Sequence, residues 1–287
     1  MSRNIIITGG TGFIGSNLVN IFIKGDRVYN LSRNRNEKCE NIYWNLRDSI
    51  EYENIEDKKF PTNIDTIIHC AAIVGEGNYS KREYIEVNTI STLELLEYCV
   101  SAGVKQFVYI STGGIYGFGN APFCEEDQPK PQGIYSISKY FSEELCMEYE
   151  SKLKITILRV FFPYGKDQKG RLVSNLINKI NHSEKIILNY EGMPLINPIY
   201  VADLCNVIKG IVDKKLEGIY NVCGNEIVSI KELCNIISDT ADIKNVRFCF
   251  NEKNTENILG NNQKIQSALN YSIKTTISEG IKRIIDN

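Results

Sequence analysis

The run Ile5-Ile6-Ile7-Thr8-Gly9-Gly10-Thr11-Gly12-Phe13-Ile14-Gly15 constrains the fold more than any other segment of this 287-residue chain. Three consecutive isoleucines make a buried strand, the glycines free the backbone to turn sharply, and apolar spacing then continues as a helix. The glycines read in two registers, Gly9-Gly12-Gly15 or Gly10-Gly12-Gly15. Either way, missing Cβ atoms and a helix N-terminus form a seat for a pyrophosphate. The same alternation continues through the first half, with strands expected over 4–8, 27–31, 41–44, 65–70, 106–111 and 154–159. Helices are expected over 13–24, 84–101 and 135–152. Strands separated by helices imply a parallel sheet of six strands covered on both faces, an α/β doubly wound fold. Beyond Gly165 the pieces shorten, to helices over 172–180, 201–212, 229–241 and 278–285 and strands over 186–188, 219–222 and 246–250. The Asn-rich stretch 251–264 reads as a surface run. The expected division is a dinucleotide-binding domain over residues 1–165 and a smaller mixed α/β substrate-binding lobe over 166–287, from which the chain is free to cross back.

Charge and composition remove several function classes. With 33 basic and 35 acidic residues interspersed, there is no basic face for a nucleic-acid backbone. No apolar run approaches the length of a membrane span, and Met1-Ser2-Arg3-Asn4 leads into only three isoleucines, too few for a signal peptide, so a cytoplasmic, membrane-free protein is expected. Nine cysteines lie scattered without a CxxC pair, which suits reduced thiols used as small hydrophobes rather than a zinc site or a disulfide framework. Only His69 and His182 are present, so imidazole-based metal sites and serine-histidine triads are poorly supplied.

The second strand ends Leu31-Ser32-Arg33, where a carboxylate would bind a free ribose 2′-hydroxyl. A serine and an arginine there accept a 2′-phosphate instead, favouring NADP(H) over NAD(H), with Arg35 and Lys38 nearby. Farther on, Tyr135-Ser136-Ile137-Ser138-Lys139 sets a phenol and an ammonium four residues apart, on one helix face. The ammonium favours the phenolate, fitting Tyr135 to exchange a proton with a sugar oxygen. The strand before that helix ends at Ser111-Thr112, and carboxyl ends of parallel strands line the ligand crevice. A Thr112 hydroxyl there shares the reacting oxygen with Tyr135.

Together these residues resemble the extended short-chain dehydrogenase/reductase family, the nucleotide-sugar epimerases, dehydratases and reductases built on a Rossmann domain. The likeness also includes His69-Cys70-Ala71-Ala72, Val87-Asn88, the run from Ser111 to Gly117, Leu158-Arg159 with Tyr164-Gly165, Ile199-Tyr200-Val201 with Asp203, and Gly218 to Val222. The resemblance implies that Gly9, Gly12, Phe13, Ile14, Gly15, Ser32, Arg33, Asn45, Leu46, Ala71, Ala72 and Asn88 serve the cofactor, together with Tyr135 and Lys139. It further implies that Thr112, Tyr135 and Lys139 carry the chemistry, that Thr112, Tyr135, Phe162 and Arg171 meet the substrate, and that His69 is structural. Asn45-Leu46 stands where Asp-Leu is usual at the adenine edge.

Departures from the family pattern narrow the reaction. Gly113 and Gly114 stand where related dehydratases carry Asp-Glu and where decarboxylases carry a Glu, so neither elimination nor decarboxylation is expected. Phe162 and Ile196 replace an asparagine and an arginine that contact the nucleotide diphosphate, and Arg171 is the replacement anion ligand. The expected function is NADP(H)-dependent reduction of a 4-keto nucleotide sugar. A 4-epimerase that retains its cofactor is the close rival, and a noncatalytic dinucleotide sensor the third reading. By resemblance, stretches near Leu93 to Val100 and Phe141 to Glu148 pair two copies into a homodimer.

Overall fold

The computed structural model describes residues 2–48, 61, 63–75, 79–253 and 255–286. Two compact units are present, one comprising residues 1–115, 129–159 and 207–220, the other 116–128, 160–206 and 221–287. In chain order the elements up to the second unit's main entry are β1 (Asn4–Thr8), α1 (Phe13–Phe22), β2 (Arg27–Ser32), β3 (Glu40–Tyr43), β4 (Thr66–His69), α2 (Lys81–Tyr84), α3 (Ser91–Ser101), β5 (Gln106–Thr112), α4 (Gly133–Glu148) and β6 (Lys154–Val160). There follow β7 (Pro163–Tyr164), α5 (Leu172–Asn181), β8 (Ile186–Leu188), β9 (Leu195–Ile196), β10 (Ile199–Tyr200), α6 (Val201–Lys214), β11 (Gly218–Val222), β12 (Val228–Ser229), α7 (Ile230–Thr240), β13 (Phe248–Phe250), α8 (Gln263–Leu269) and α9 (Ile277–Ile285).

The central sheet has seven strands in the order β11-β6-β5-β4-β1-β2-β3. β1 pairs in parallel with both β2 and β4, so strand order reverses there, and in doubly wound sheets the carboxyl ends of strands at such a point are where ligands bind. Six strands were expected, and the seventh is β11. The Leu216 carbonyl just before it accepts from Gln106 Nε2 at 3.1 Å and from the Thr156 hydroxyl, so side chains of β5 and β6 tie that end of the chain down. Ile5, Ile6 and Ile7 are fully buried, as a strand covered on both faces requires. On one face Ile6, Ile67, Phe107 and Ile155 pack with Leu95, Leu96 and Cys99 of α3 and Cys146 of α4.

The helix expected over 84–101 is present and runs without a break from Lys81 to Ser101, but it widens in the middle. α2 starts with a capping box between Ser80 and Glu83. A wide π turn then spans Ile85–Ile90 before α3 begins. Hydroxyls explain the widening: Ser91 donates to the Val87 carbonyl at 2.5 Å and Thr92 to the Asn88 carbonyl at 2.7 Å, competing with the backbone amides for those acceptors. Val100, Phe141 and Met147, in the two stretches expected to pair between copies, are exposed.

In the second unit, Tyr164, Val173, Leu176, Ile196, Leu233, Ile237 and Ile281 form the core. The expectation of a surface run over 251–264 is corrected here. Leu259 and Asn262 are buried, and α8 begins at Gln263. The asparagines turn inward: Asn197 exchanges two hydrogen bonds with the Gly260 backbone at 2.8 and 3.1 Å, and Asn262 donates to the Cys223 carbonyl at 2.9 Å. Polar composition thus satisfies buried backbone here instead of facing water. Five cysteines (Cys99, Cys146, Cys205, Cys223 and Cys234) are buried free thiols. No helix of the described residues is long and apolar enough to cross a membrane.

Candidate active site

The glycine turn is shaped by close approach. Gly9 has φ of +65°, and a Cβ on it would lie 3.1 Å from Ala71 Cα. A Cβ on Gly15 would meet the Gly9 carbonyl oxygen at 2.2 Å, and one on Gly10 would meet Asn30 Oδ1 at 2.6 Å. Both glycine registers read from the sequence are therefore in use. α1 begins after Gly12 with no side-chain cap and no acidic residue in its first turn. The amides of Phe13, Ile14 and Gly15 open the helix without intrahelical acceptors, so the turn fits a bound diphosphate.

Beyond β2 an asparagine lattice, not foreseen from the sequence, fixes this turn. Buried Asn30 accepts from the Gly10 amide at 2.9 Å and donates to Asn41 Oδ1 at 2.9 Å, while Asn36 donates to the Gly10 carbonyl at 2.8 Å. Ser32 donates to the Asn34 carbonyl at 2.7 Å and accepts from its amide at 3.2 Å, a local turn. Arg33 is exposed and has no ion pair among the described residues, as has Arg35, whereas Lys38 donates to Asn20 Oδ1 at 2.8 Å. Asn45 sits in a turn whose carbonyl accepts from the Asp48 amide at 2.8 Å, and Leu46 packs on the core.

A buried relay joins the glycine turn to α4. Thr8 Oγ1 accepts from the Cys70 and Ala71 amides at 3.1 and 3.0 Å, which leaves its proton for His69 Nδ1 at 2.7 Å. His69 Nε2–H then donates to Thr92 Oγ1 at 3.1 Å, and Thr92 donates onward to the Asn88 carbonyl. Burial holds the His69 imidazole well below its usual pKa, so it is a neutral tautomer set by its partners. The Asn88 side chain accepts from the Ile73 amide at 2.8 Å and donates to the Ile73 carbonyl and to Ser138 Oγ, each at 3.0 Å. Ser138 donates in turn to the Tyr135 carbonyl at 2.8 Å. Asn88 therefore spends its amide on locating α4, and Ala72 lies in the loop this network holds.

Thr112 closes β5, half-buried, with Oγ1 accepting from the Gly114 amide at 3.1 Å and its own proton left to donate. A Cβ on Gly114 would lie 3.0 Å from Ser136 Oγ and 3.4 Å from Thr112 Oγ1, so the end of β5 meets the first turn of α4 there. Tyr135 is half-buried against Ile73, Tyr84 and Val87. One helical turn on, Lys139 is buried, with Nζ 4.0 Å from the centroid of the Tyr109 ring. A second turn on is Glu143, which sequence reasoning missed although the spacing Tyr135, Lys139, Glu143 puts all three on one face. Glu143 is 1% exposed, accepts from Arg159 Nη2 at 2.8 Å and Nε at 3.1 Å, and accepts from the Ser111 hydroxyl.

Burial lowers the Lys139 pKa from its ordinary value of 10.5 to about 7, against the pull of Cys146, Glu143 and Cys70. The unfolded chain therefore holds this proton between about pH 7 and 10.5 while the folded chain has lost it, and stability rises with pH across that window. Below pH 7 the cost of the buried charge is fully present. Lys139→Met is expected to raise Tm by about 5 °C at pH 6, with the gain shrinking toward pH 9. Thermal unfolding of both proteins at the two pH values checks this, and a gain that grows with pH would contradict it.

Phe162 and Arg171 belong to the second unit. Phe162 has φ of +41°, and its ring packs partly buried against that unit's core. Arg171 stands before α5, where its amide donates to Ser174 Oγ at 3.0 Å. Among the described residues no group of three or more His, Cys, Asp or Glu is placed to hold a metal ion.

A family model described as the NAD dependent epimerase/dehydratase family matches residues 5–223. Among curated proteins, a dTDP-D-glucose 4,6-dehydratase of Dictyostelium discoideum is 29% identical, the match covering 77% of this chain and 58% of that protein. A GDP-6-deoxy-D-talose 4-dehydrogenase of Aggregatibacter actinomycetemcomitans is 27% identical over 95% of this chain and 93% of its own. Among solved structures, a UDP-glucuronic acid 4-epimerase from Bacillus cereus, in complex with UDP-glucuronic acid and NAD, superposes with a TM-score of 0.87 at 23% identity, covering 99% of this chain and 98% of its own.

Proposed function

Because the chain belongs to the NAD dependent epimerase/dehydratase family, enzymes of the extended short-chain dehydrogenase/reductase type, we propose that it reduces a 4-keto nucleotide sugar with Tyr135 as the acid. The reading rests on the surroundings of Thr112. Gly113 and Gly114 offer no carboxylate there, and the space a side chain at 114 would need lies against Ser136 Oγ. Without that acid the available chemistry is hydride transfer. When bound, the coenzyme supplies the hydride to carbon 4. Tyr135 gives its phenolic proton to the carbonyl oxygen, Thr112 donates a hydrogen bond to that oxygen, and the Lys139 ammonium stabilises the phenolate left behind. Phe162 and Arg171 are the proposed nucleotide contacts in the second unit.

The coenzyme reading is NADPH, supported by Arg33, which follows the end of β2, is exposed and has no ion pair among the described residues. Incubation with a panel of nucleotide sugars and keto sugars tests both readings: reduction consumes NADPH in proportion to product. Arg33→Ala is expected to raise the KM for NADPH about tenfold and that for NADH less than twofold, since only the former loses a charge-assisted contact. Equal effects on the two would overturn the NADPH reading. Protein that arrives with tightly held NAD and interconverts 4-epimers with no added coenzyme would establish the epimerase instead.

A further inference from the structure

One buried aromatic ring outside the Tyr135, Lys139 and Thr112 set lies against two ionisable side chains, Lys139 and His69. Tyr109 lies in the middle of β5 and is fully buried. Burial pushes its phenol well above the ordinary range, so the side chain stays neutral at every working pH. Its ring face lies 4.0 Å from Lys139 Nζ, and its edge region meets the neutral His69 imidazole, centroids 5.7 Å apart and tilted by 40°.

We propose that Tyr109 is a positioning residue for the proton-transfer pair, its ring face seating the Lys139 ammonium beneath Tyr135. The proposal rests on the proposed role of Tyr135 and Lys139. An ammonium over an aromatic face is attracted by the ring quadrupole, and more strongly where water is excluded. All the titratable neighbours are compatible with that role. From the end of β4 comes His69, which is neutral, and from the residue after it Cys70, which favours the ammonium. From α4 itself come Tyr135, Glu143 and Cys146, of which Glu143 and Cys146 also favour the charged form. From β6, Arg159 reaches the cluster through its two bonds to Glu143. The ring face lies 4.0 Å from the ammonium, and it carries no net charge. It therefore holds the cation in place without neutralising the field that Lys139 exerts on Tyr135.

Tyr109→Phe keeps the ring and removes only the hydroxyl; Tyr109→Leu removes the ring. The titration of Lys139 is followed in the full-length protein by NMR of ε-labelled lysine, assigned by the signal missing in Lys139→Met. The leucine variant is expected to move the Lys139 midpoint down by about one pH unit, a tenfold change in ionisation, and to lower kcat about tenfold at pH 8 but less than threefold at pH 6. The phenylalanine variant is expected to leave midpoint and kcat within twofold of wild type. Should the leucine variant fail to fold, Tyr109→Met carries the same comparison. An unmoved midpoint without the ring, or a phenylalanine variant that behaves like leucine, overturns the proposal whatever happens to turnover. A failure of the hydride-transfer reading is seen separately, as turnover that survives Tyr135→Phe.

Discussion

Tyr135→Phe is expected to lower turnover about 10³-fold while coenzyme binding stays within threefold of wild type. The phenyl ring keeps the packing against Ile73, Tyr84 and Val87, so the helix and its turn remain in place. What is lost is the acidic proton, and general acid–base groups of this kind typically contribute 10²–10⁴-fold. Coenzyme titration by fluorescence and single-turnover kinetics separate the two effects. Retained turnover would remove Tyr135 from the chemistry; lost coenzyme binding would show that the substitution had damaged the seat instead.

The second large effect concerns stability. Arg159 and Glu143 are buried at 4% and 1% exposure and joined by a salt bridge of 2.8 Å. Burial holds the Glu143 carboxyl above its ordinary range, with Arg159 the main opposing influence. Arg159→Leu strands a carboxylate in the interior, at an expected cost of about 3–5 kcal/mol. Glu143→Leu combined with Arg159→Leu is expected to recover more than half of that loss, because an apolar pair owes no desolvation. Trp44, the single tryptophan and itself buried, reports urea unfolding of that unit. A single variant costing under 1 kcal/mol, or a double variant no better than the single, would refute this account.

Much of the first unit was legible because its signals are local. Ile5 to Thr8, the glycines after them and the spacing of Tyr135 to Lys139 each fix a short structure whose period is visible in sequence. Glu143 was equally within reach, one more turn along the same face. The asparagines were not. Asn30, Asn36, Asn197 and Asn262 have the composition of surface loops, and only the tertiary fold shows their amides turned onto buried backbone. The π turn at Ile85–Ile90 was hidden for a related reason, since Ser91 and Thr92 read as ordinary helix residues until their hydroxyls are seen on the preceding carbonyls. The place of β11 in the sheet depends on Gln106 and Thr156, 110 and 60 residues from the carbonyl they hold. Likewise, nothing in the sequence around Tyr109 announces an ammonium over its face.

The lattice of Asn30, Asn36 and Asn41 around Gly10 has a consequence for how such a pocket responds to its surroundings. Its bonds join uncharged amides, so dissolved ions have nothing to screen and protons nothing to titrate. The contour of the glycine turn is accordingly expected to be the same in dilute buffer and in concentrated electrolyte. Only the attraction for an anion weakens as ionic strength climbs.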